Sequence, residues 1–159
     1  MSESTQSRVF SAGEAIAFWQ PEPANGYVEL RVSEHSAVAS SRFETGIQVV
    51  APGGFVREHQ HNDQEELILV FEGEGVALLE GKEYPMCNGT TVYLVPHSRH
   101  KFTNTGEGPL KFFWVFMPKG LAEFFARIGR SKQPGDSAPD HFPRPASVKA
   151  VERETVFGD

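Results

Sequence analysis

The stretch GGFVREHQHNDQEELILVFEG, residues 53–73, decides how the rest of the chain is read. Its glycines at either end supply the positive-φ turns that antiparallel strands need, and the residues between them divide into two strand-like runs. Side chains two apart on a strand face the same way, so His59 and His61 present two imidazoles to one point, a chelate geometry. On the second run the same alternation sends Glu66, Ile68 and Val70 to one face and leaves the rival carboxylate, Glu65, pointing outward as a solvated charge. A carboxylate from the next strand and an imidazole from a distant one complete a mixed nitrogen and oxygen site, and Glu66 and His100 fill those roles. Such a set suits Fe, Mn, Co, Ni or Zn.

Working outward, short strand-like runs continue at regular spacing: GYVELRV at 26–32, GIQVVAPGG at 46–54, VALLEGKEYPM at 76–86, TTVYLVP at 90–96, HKFTNTGEG at 100–108 and LKFFWVFMP at 110–118. Turn residues such as Gly75 and Gly106 part them. The expected architecture is an all-β core over about residues 27–117, closed as a sandwich or jelly-roll barrel. After Pro118 the period changes: Leu121, Phe124, Phe125 and Ile128 recur at helical spacing and Gly129 ends the stripe, which predicts one short helix. Beyond it, residues 131–157 hold five prolines and glycines before a hydrophobic end at Val156 and Phe157. That pattern predicts an extended arm, able to lie over a neighbouring subunit. The stretch to about Pro23 carries Phe10, Phe18 and Trp19 among polar residues and reads as a partly docked lead-in. A chain of 159 residues fits one domain, 1–159, with no repeat and no linker.

Charge and composition narrow the function classes. A formal net charge of -6 without clustered Lys or Arg argues against nucleic acid as a partner. No basic and then apolar leader and no membrane-length apolar run is present, so a cytoplasmic protein with no membrane contact is expected. Cys87 is the single cysteine; an internal disulfide and a thiolate zinc site are both excluded, and any metal must use His and carboxylate.

These motifs carry a family resemblance. Gly53, five residues, His59-x-His61, four residues, Glu66, six residues, Gly73 resembles the first motif of the cupins, whose three polar positions are metal ligands. Glu66 alone stands six residues before Gly73. The second cupin motif resembles the run from Gly89 through His100 to Asn104, with a departure in the middle: Val95 holds the usual Pro position and His97 the usual Gly position, with Pro96 between them. The resemblance spans roughly residues 45–117. It implies a cupin double-stranded β-helix, a jelly-roll barrel with one short C-terminal helix and extended terminal arms, holding one divalent metal through His59, His61, Glu66 and His100.

An isolated His-x-His pair is more simply two solvent-facing strand residues; the spaced glycines, Glu66 and His100 are what favour ligation. His97 precedes His100 by three residues on a turn at the barrel mouth, where it reads either as a surface residue or as a pocket acid or base beside Glu66. His35 and His141 default to surface or packing roles, and Cys87 to a small buried hydrophobe. On the aromatic strand, alternation lets either Phe112, Trp114 and Phe116 or Phe113, Val115 and Met117 wall the cavity. Arg57, Tyr93 and Arg99 are candidate polar contacts for substrate. An aromatic-lined metal site selects an apolar or aromatic small molecule with one polar end for the metal.

The resemblance implies a metal-dependent enzyme. The leading expectation is a mononuclear non-haem Fe(II) dioxygenase acting with O2 on a small aromatic, enol or hydroxyketone compound, similar to the quercetinase-like and hydroxyacetophenone-cleaving cupins. The alternatives are a Mn, Zn or Ni lyase, isomerase or decarboxylase of a small carbonyl compound, and a non-catalytic small-molecule-binding cupin. Exposed strand edges that need covering, together with the family's habit of pairing sheets between subunits, imply a homodimer.

Overall fold

A computed structural model of the chain describes residues 6–158. In chain order the elements are β1 (Ile16–Trp19), β2 (Tyr27–Val32), β3 (Glu44–Val50), β4 (Phe55–His59), β5 (Glu65–Glu72), β6 (Gly75–Leu79), β7 (Lys82–Met86), β8 (Thr91–Leu94), β9 (His100–Asn104), β10 (Leu110–Met117), α1 (Leu121–Ile128), β11 (Arg130–Lys132) and α2 (Val148–Glu154). Two antiparallel sheets face each other, one ordered β11-β1-β2-β3-β10-β5-β8 and the other β4-β9-β6-β7. The sequence order jumps within both sheets, as in a jelly roll, and the apolar faces meet in between.

Strand β10 decides where the core lies. Its alternation is strict: Leu110, Phe112, Trp114 and Phe116 are buried while Lys111, Phe113, Val115 and Met117 are half-exposed. The choice between the two aromatic sets is thereby resolved in favour of Phe112, Trp114 and Phe116. Trp114 requires a glycine opposite: a Cβ on Gly46, its register partner in β3, would come within 2.5 Å of the indole. Strand β5 obeys the same parity, with Glu66, Ile68 and Val70 inward.

The motif residues outside the ligand set hold turns. Asn104 donates through Nδ2 to the carbonyls of Val50 and Gly108, both at 2.9 Å, and its Oδ1 accepts from the Gly106 amide. His97, in the usual Gly position, adopts φ +67°, and its N–H donates to the His61 carbonyl at 2.8 Å. The backbone thus keeps a turn suited to glycine, with a histidine accepting the left-handed conformation.

The ends differ from expectation. Part of the N-terminal lead-in is a strand, β1, and the C-terminal arm contains a strand and a second helix. β11 pairs with β1, Phe142 is buried, and Val148, Val151, Val156 and Phe157 pack on the core. The arm therefore closes on its own barrel, because its apolar end finds a surface there that removes it from water. Helix α1 has no capping side chain of its own. The buried carboxylate of Glu44 in β3 accepts from the Gly120 and Ala122 amides at 2.8 and 3.0 Å, satisfying the helix start and fixing Phe124 and Phe125 over the barrel. No helix among the described residues is long and apolar enough to cross a membrane.

Candidate metal centre

Strands β4 and β9 run side by side, and their register sets His59 directly across from His100. His61 lies just beyond β4, bridged to Phe157 of the C-terminal tail. The three imidazoles gather so that one nitrogen from each lies within 4.8 Å of the others. Glu66 comes from β5 in the opposite sheet. Its Oε2 is 3.5 Å from His61 Nε2 and 3.7 Å from His100 Nε2. The four residues named from the sequence converge at one end of the barrel interior.

Backbone carbonyls set the tautomer of every ring. His59 Nδ1 donates to the Arg57 carbonyl at 2.6 Å, His61 Nδ1 to that of Val156 at 2.9 Å, and His100 Nδ1 to that of Ser98 at 2.8 Å. A carbonyl can only accept, so each Nδ1 carries a proton, and on the neutral ring it is Nε2 that offers the lone pair. The Nε2 atoms of His61 and His100 are buried with no hydrogen-bond partner. Burial, together with the neighbouring His100 and His61 rings, holds His59 well below the ordinary imidazole range. Burial lowers His100 too, although the Glu66 carboxylate pulls it back upward. Neutral, pre-oriented imidazoles with orphaned Nε2 atoms beside a carboxylate are the chemistry a divalent first-row metal requires.

Two cavities adjoin the ligands. An inner one of about 80 Å³ is lined by His59, His61 and Glu66, by Phe55, Phe102, Phe112, Phe124 and Phe157, and by the polar residues Gln20, Gln48, Arg57, Arg144 and Glu152. An outer vestibule of about 320 Å³ is lined by Arg57, Glu58, His59, Arg99, Lys149, Glu152, Arg153 and Phe157. Arg57 and Arg144 both donate to Glu152 Oε1, at 2.5 and 2.7 Å.

The remaining sequence candidates separate. Arg57 lines both cavities and Arg99 the outer one only, 3.7 Å from Glu58. Tyr93 turns outward and donates to Glu65, so it is not a pocket residue: alternation along β8 sends its ring to solvent. His97 is exposed and lines neither cavity; its turn holds the backbone at the mouth and leaves the ring outside, so the proton-transfer role expected for it finds no support. Of the three inward aromatics of β10, only Phe112 lines the inner cavity. Phe116 packs edge-on against His61 with ring centres 4.8 Å apart, and Trp114 is core beside Phe125. His35 pairs with Glu123, His141 is exposed, and Cys87 is exposed rather than buried, bonded through its amide to Thr90 Oγ1.

Sequence reasoning missed Gln48, Gln20, Arg144, Glu152 and Phe157. Gln48 had a legible signal, a polar residue on the same face of β3 as Gly46 and Val50. The last three lie in a tail whose return to the barrel mouth no local pattern announces.

A barrel of this topology with three imidazoles and a carboxylate at one end defines a metal-site jelly roll. The model for the cupin domain matches residues 46–116, and the barrel has the double-stranded β-helix fold of the cupins. An uncharacterized protein of Methanocaldococcus jannaschii is 31% identical over 70 residues, 44% of this chain and 56% of that one; the chain thus spans little more than half of that relative. Among solved structures, a predicted oxalate decarboxylase from Thermotoga maritima superposes with a TM-score of 0.59 at 22% identity, covering 70% of this chain and all of the other. The polyketide cyclase RemF from Streptomyces resistomycificus gives a TM-score of 0.61 at 19% identity, covering 72% and 81%. At these identities the likeness is one of fold.

Proposed function

We propose that this cupin is a metal-dependent enzyme acting on a small organic molecule, and that its metal is held by His59, His61, Glu66 and His100. The observation that carries this reading is the pair of buried, unpartnered Nε2 atoms on His61 and His100, aimed at a carboxylate and flanked by an aromatic cavity. A purely structural cluster would have its lone pairs satisfied.

Within that class the first reading is an Fe(II) dioxygenase for an aromatic, enol or hydroxyketone substrate. Bound iron would supply the redox chemistry that couples such a substrate to O2. The chain's own residues do the rest. The phenylalanines around the inner cavity exclude water and seat a flat apolar body. Glu66, which lines the inner cavity, can take the proton of a substrate hydroxyl as the molecule enters. Arg57, Glu152 and Phe157, which face both cavities, form with Arg144 on the inner side the wall a substrate passes. The second reading keeps the same residues without O2: a lyase, isomerase or decarboxylase of a small carbonyl compound using Mn, Zn or Ni as a Lewis acid. Two proteins of similar fold, a predicted oxalate decarboxylase and a polyketide cyclase, favour it.

Purification without added metal, elemental analysis, and oxygen uptake by the Fe(II)-loaded protein across small aromatic ketols and enols separate the two. Stoichiometric iron with substrate-dependent uptake supports the dioxygenase. A well-bound metal without uptake moves the assignment to the second reading. A protein that takes up no divalent metal, or whose uptake survives His61→Ala and His100→Ala, sinks the site.

A further inference from the structure

The inner cavity contains a polar side chain that no described residue engages. Gln48 lies on the core face of β3, flanked in register by Val28 and Phe112. It is 6% exposed and lines the cavity that His61 and Glu66 also line. Among the described residues its carboxamide makes no hydrogen bond. An amide offers two donors and one acceptor oxygen, and leaving them unmet on an apolar strand face is unfavourable. Leucine would fill a similar volume without that cost. A second amide is set the same way. Gln20 is 4% exposed, lines the same cavity, and donates through Nε2 to the Phe18 carbonyl at 3.3 Å, while its own oxygen has no described donor.

We propose that Gln48 is a substrate-recognition residue whose amide hydrogen-bonds a hydroxyl or carbonyl oxygen on the substrate, separate from the atoms that meet the metal. This rests on the metal-dependent reading above and narrows it. The substrate class becomes a small planar compound with two oxygen functions, one for the metal and one for the buried amide. The second function is neutral. Three carboxylates, Glu22, Glu66 and Glu152, share the lining with Arg57 and Arg144, and both guanidiniums donate to Glu152, so an uncharged oxygen function is the one that suits the amide. The phenylalanine walls accommodate the ring between them.

The test uses Co(II)-loaded protein under anaerobic conditions, with 3- and 4-(hydroxymethyl)catechol and the matched 3- and 4-ethylcatechols as probes, titrated by the visible spectrum of the metal. The wild type is expected to prefer at least one hydroxymethyl isomer over its ethyl match by about tenfold, roughly one net hydrogen bond. Gln48→Leu should abolish that preference while metal content stays unchanged. In the metal-free state Gln48→Leu should also raise the thermal midpoint, because it replaces an amide that opens into an aromatic-walled cavity with no described protein partner by an apolar side chain; a residue serving the fold would lower it. Gln48→Met is the second variant, should Leu pack poorly, and is expected to lose the preference likewise. No preference in the wild type, or a preference that survives both substitutions, overturns the proposal and leaves the metal-site reading standing. A protein that binds no cobalt overturns both.

Discussion

The side chain of His61 is oriented by the backbone of Val156, 95 residues further along the chain: Nδ1–H of the one donates to the carbonyl of the other at 2.9 Å. The same tail bridges His61 through Phe157, whose ring lies 5.2 Å from that of His59 and 5.1 Å from that of His61. The Gly158 amide donates to the Gln60 carbonyl. The end of the chain is therefore a strap that sets the tautomer of one ligand and covers two. Deleting residues 156–159 should weaken metal affinity roughly 10- to 100-fold, the usual effect of losing a group that orients a metal-bound histidine. Competition against a chromogenic chelator measures it. Unchanged affinity in a folded truncated protein would show that the strap has no part in the site.

Acid should weaken the metal-free protein from the metal-site side. His59 and His100 titrate below the ordinary imidazole value of 6.5 in the folded chain. As pH falls below that value the unfolded chain takes up protons that the folded chain still refuses, so stability declines until the folded values are also passed. Above pH 6.5 these two groups contribute no slope. Thermal midpoints measured in chelator should be flat around neutrality with respect to them and fall on acidification, and His59→Asn combined with His100→Asn should flatten that fall. An identical acid limb in the double variant would assign the decline elsewhere.

His97 supplies a test of strain against chemistry. Its φ of +67° is costly for a side-chain-bearing residue, and glycine relieves it. His97→Gly should stabilise the fold by up to about 1 kcal/mol, a rise of roughly 3 °C for a chain of this size, with metal affinity unchanged. Loss of turnover without loss of metal would restore a proton-transfer role for the ring.

The outer face of the larger sheet supports the expected homodimer. Leu67, Leu69, Phe71, Tyr93 and Val95 are all at least 38% exposed, and register places Phe113 beside Leu69, Val115 beside Leu67, and Leu67 beside Tyr93. A contiguous apolar sheet face is what a second copy would cover. Light scattering should give twice the chain mass at micromolar concentration, and Leu69→Lys should halve it while metal binding persists. A monomeric wild type removes the inference.

What was legible in the sequence was legible because it is periodic or local. Alternation along 65–72 placed Glu66 inward and Glu65 outward, the two-residue step paired His59 with His61, and the turn glycines marked the strand ends; these follow from backbone geometry and hold in any barrel. The helix at Leu121–Ile128 was readable from its 3.6-residue period. Alternation alone, by contrast, leaves two possible faces for the aromatic strand, and only its pairing with β3 and β5 selected Phe112, Trp114 and Phe116. The residues that complete the site, Gln48, Arg144, Glu152 and the Val156 carbonyl, belong to the tertiary structure. Their roles depend on which sheet face closes over the three histidines and on a hydrophobic tail that buries itself at the barrel mouth. The sequence by itself determined that this chain would build a jelly roll with three histidines and a carboxylate at one end, because spacing and period suffice for that. Tertiary packing alone decided what surrounds the ligands, because contacts across 95 residues arise from burial of apolar surface and leave no periodic trace.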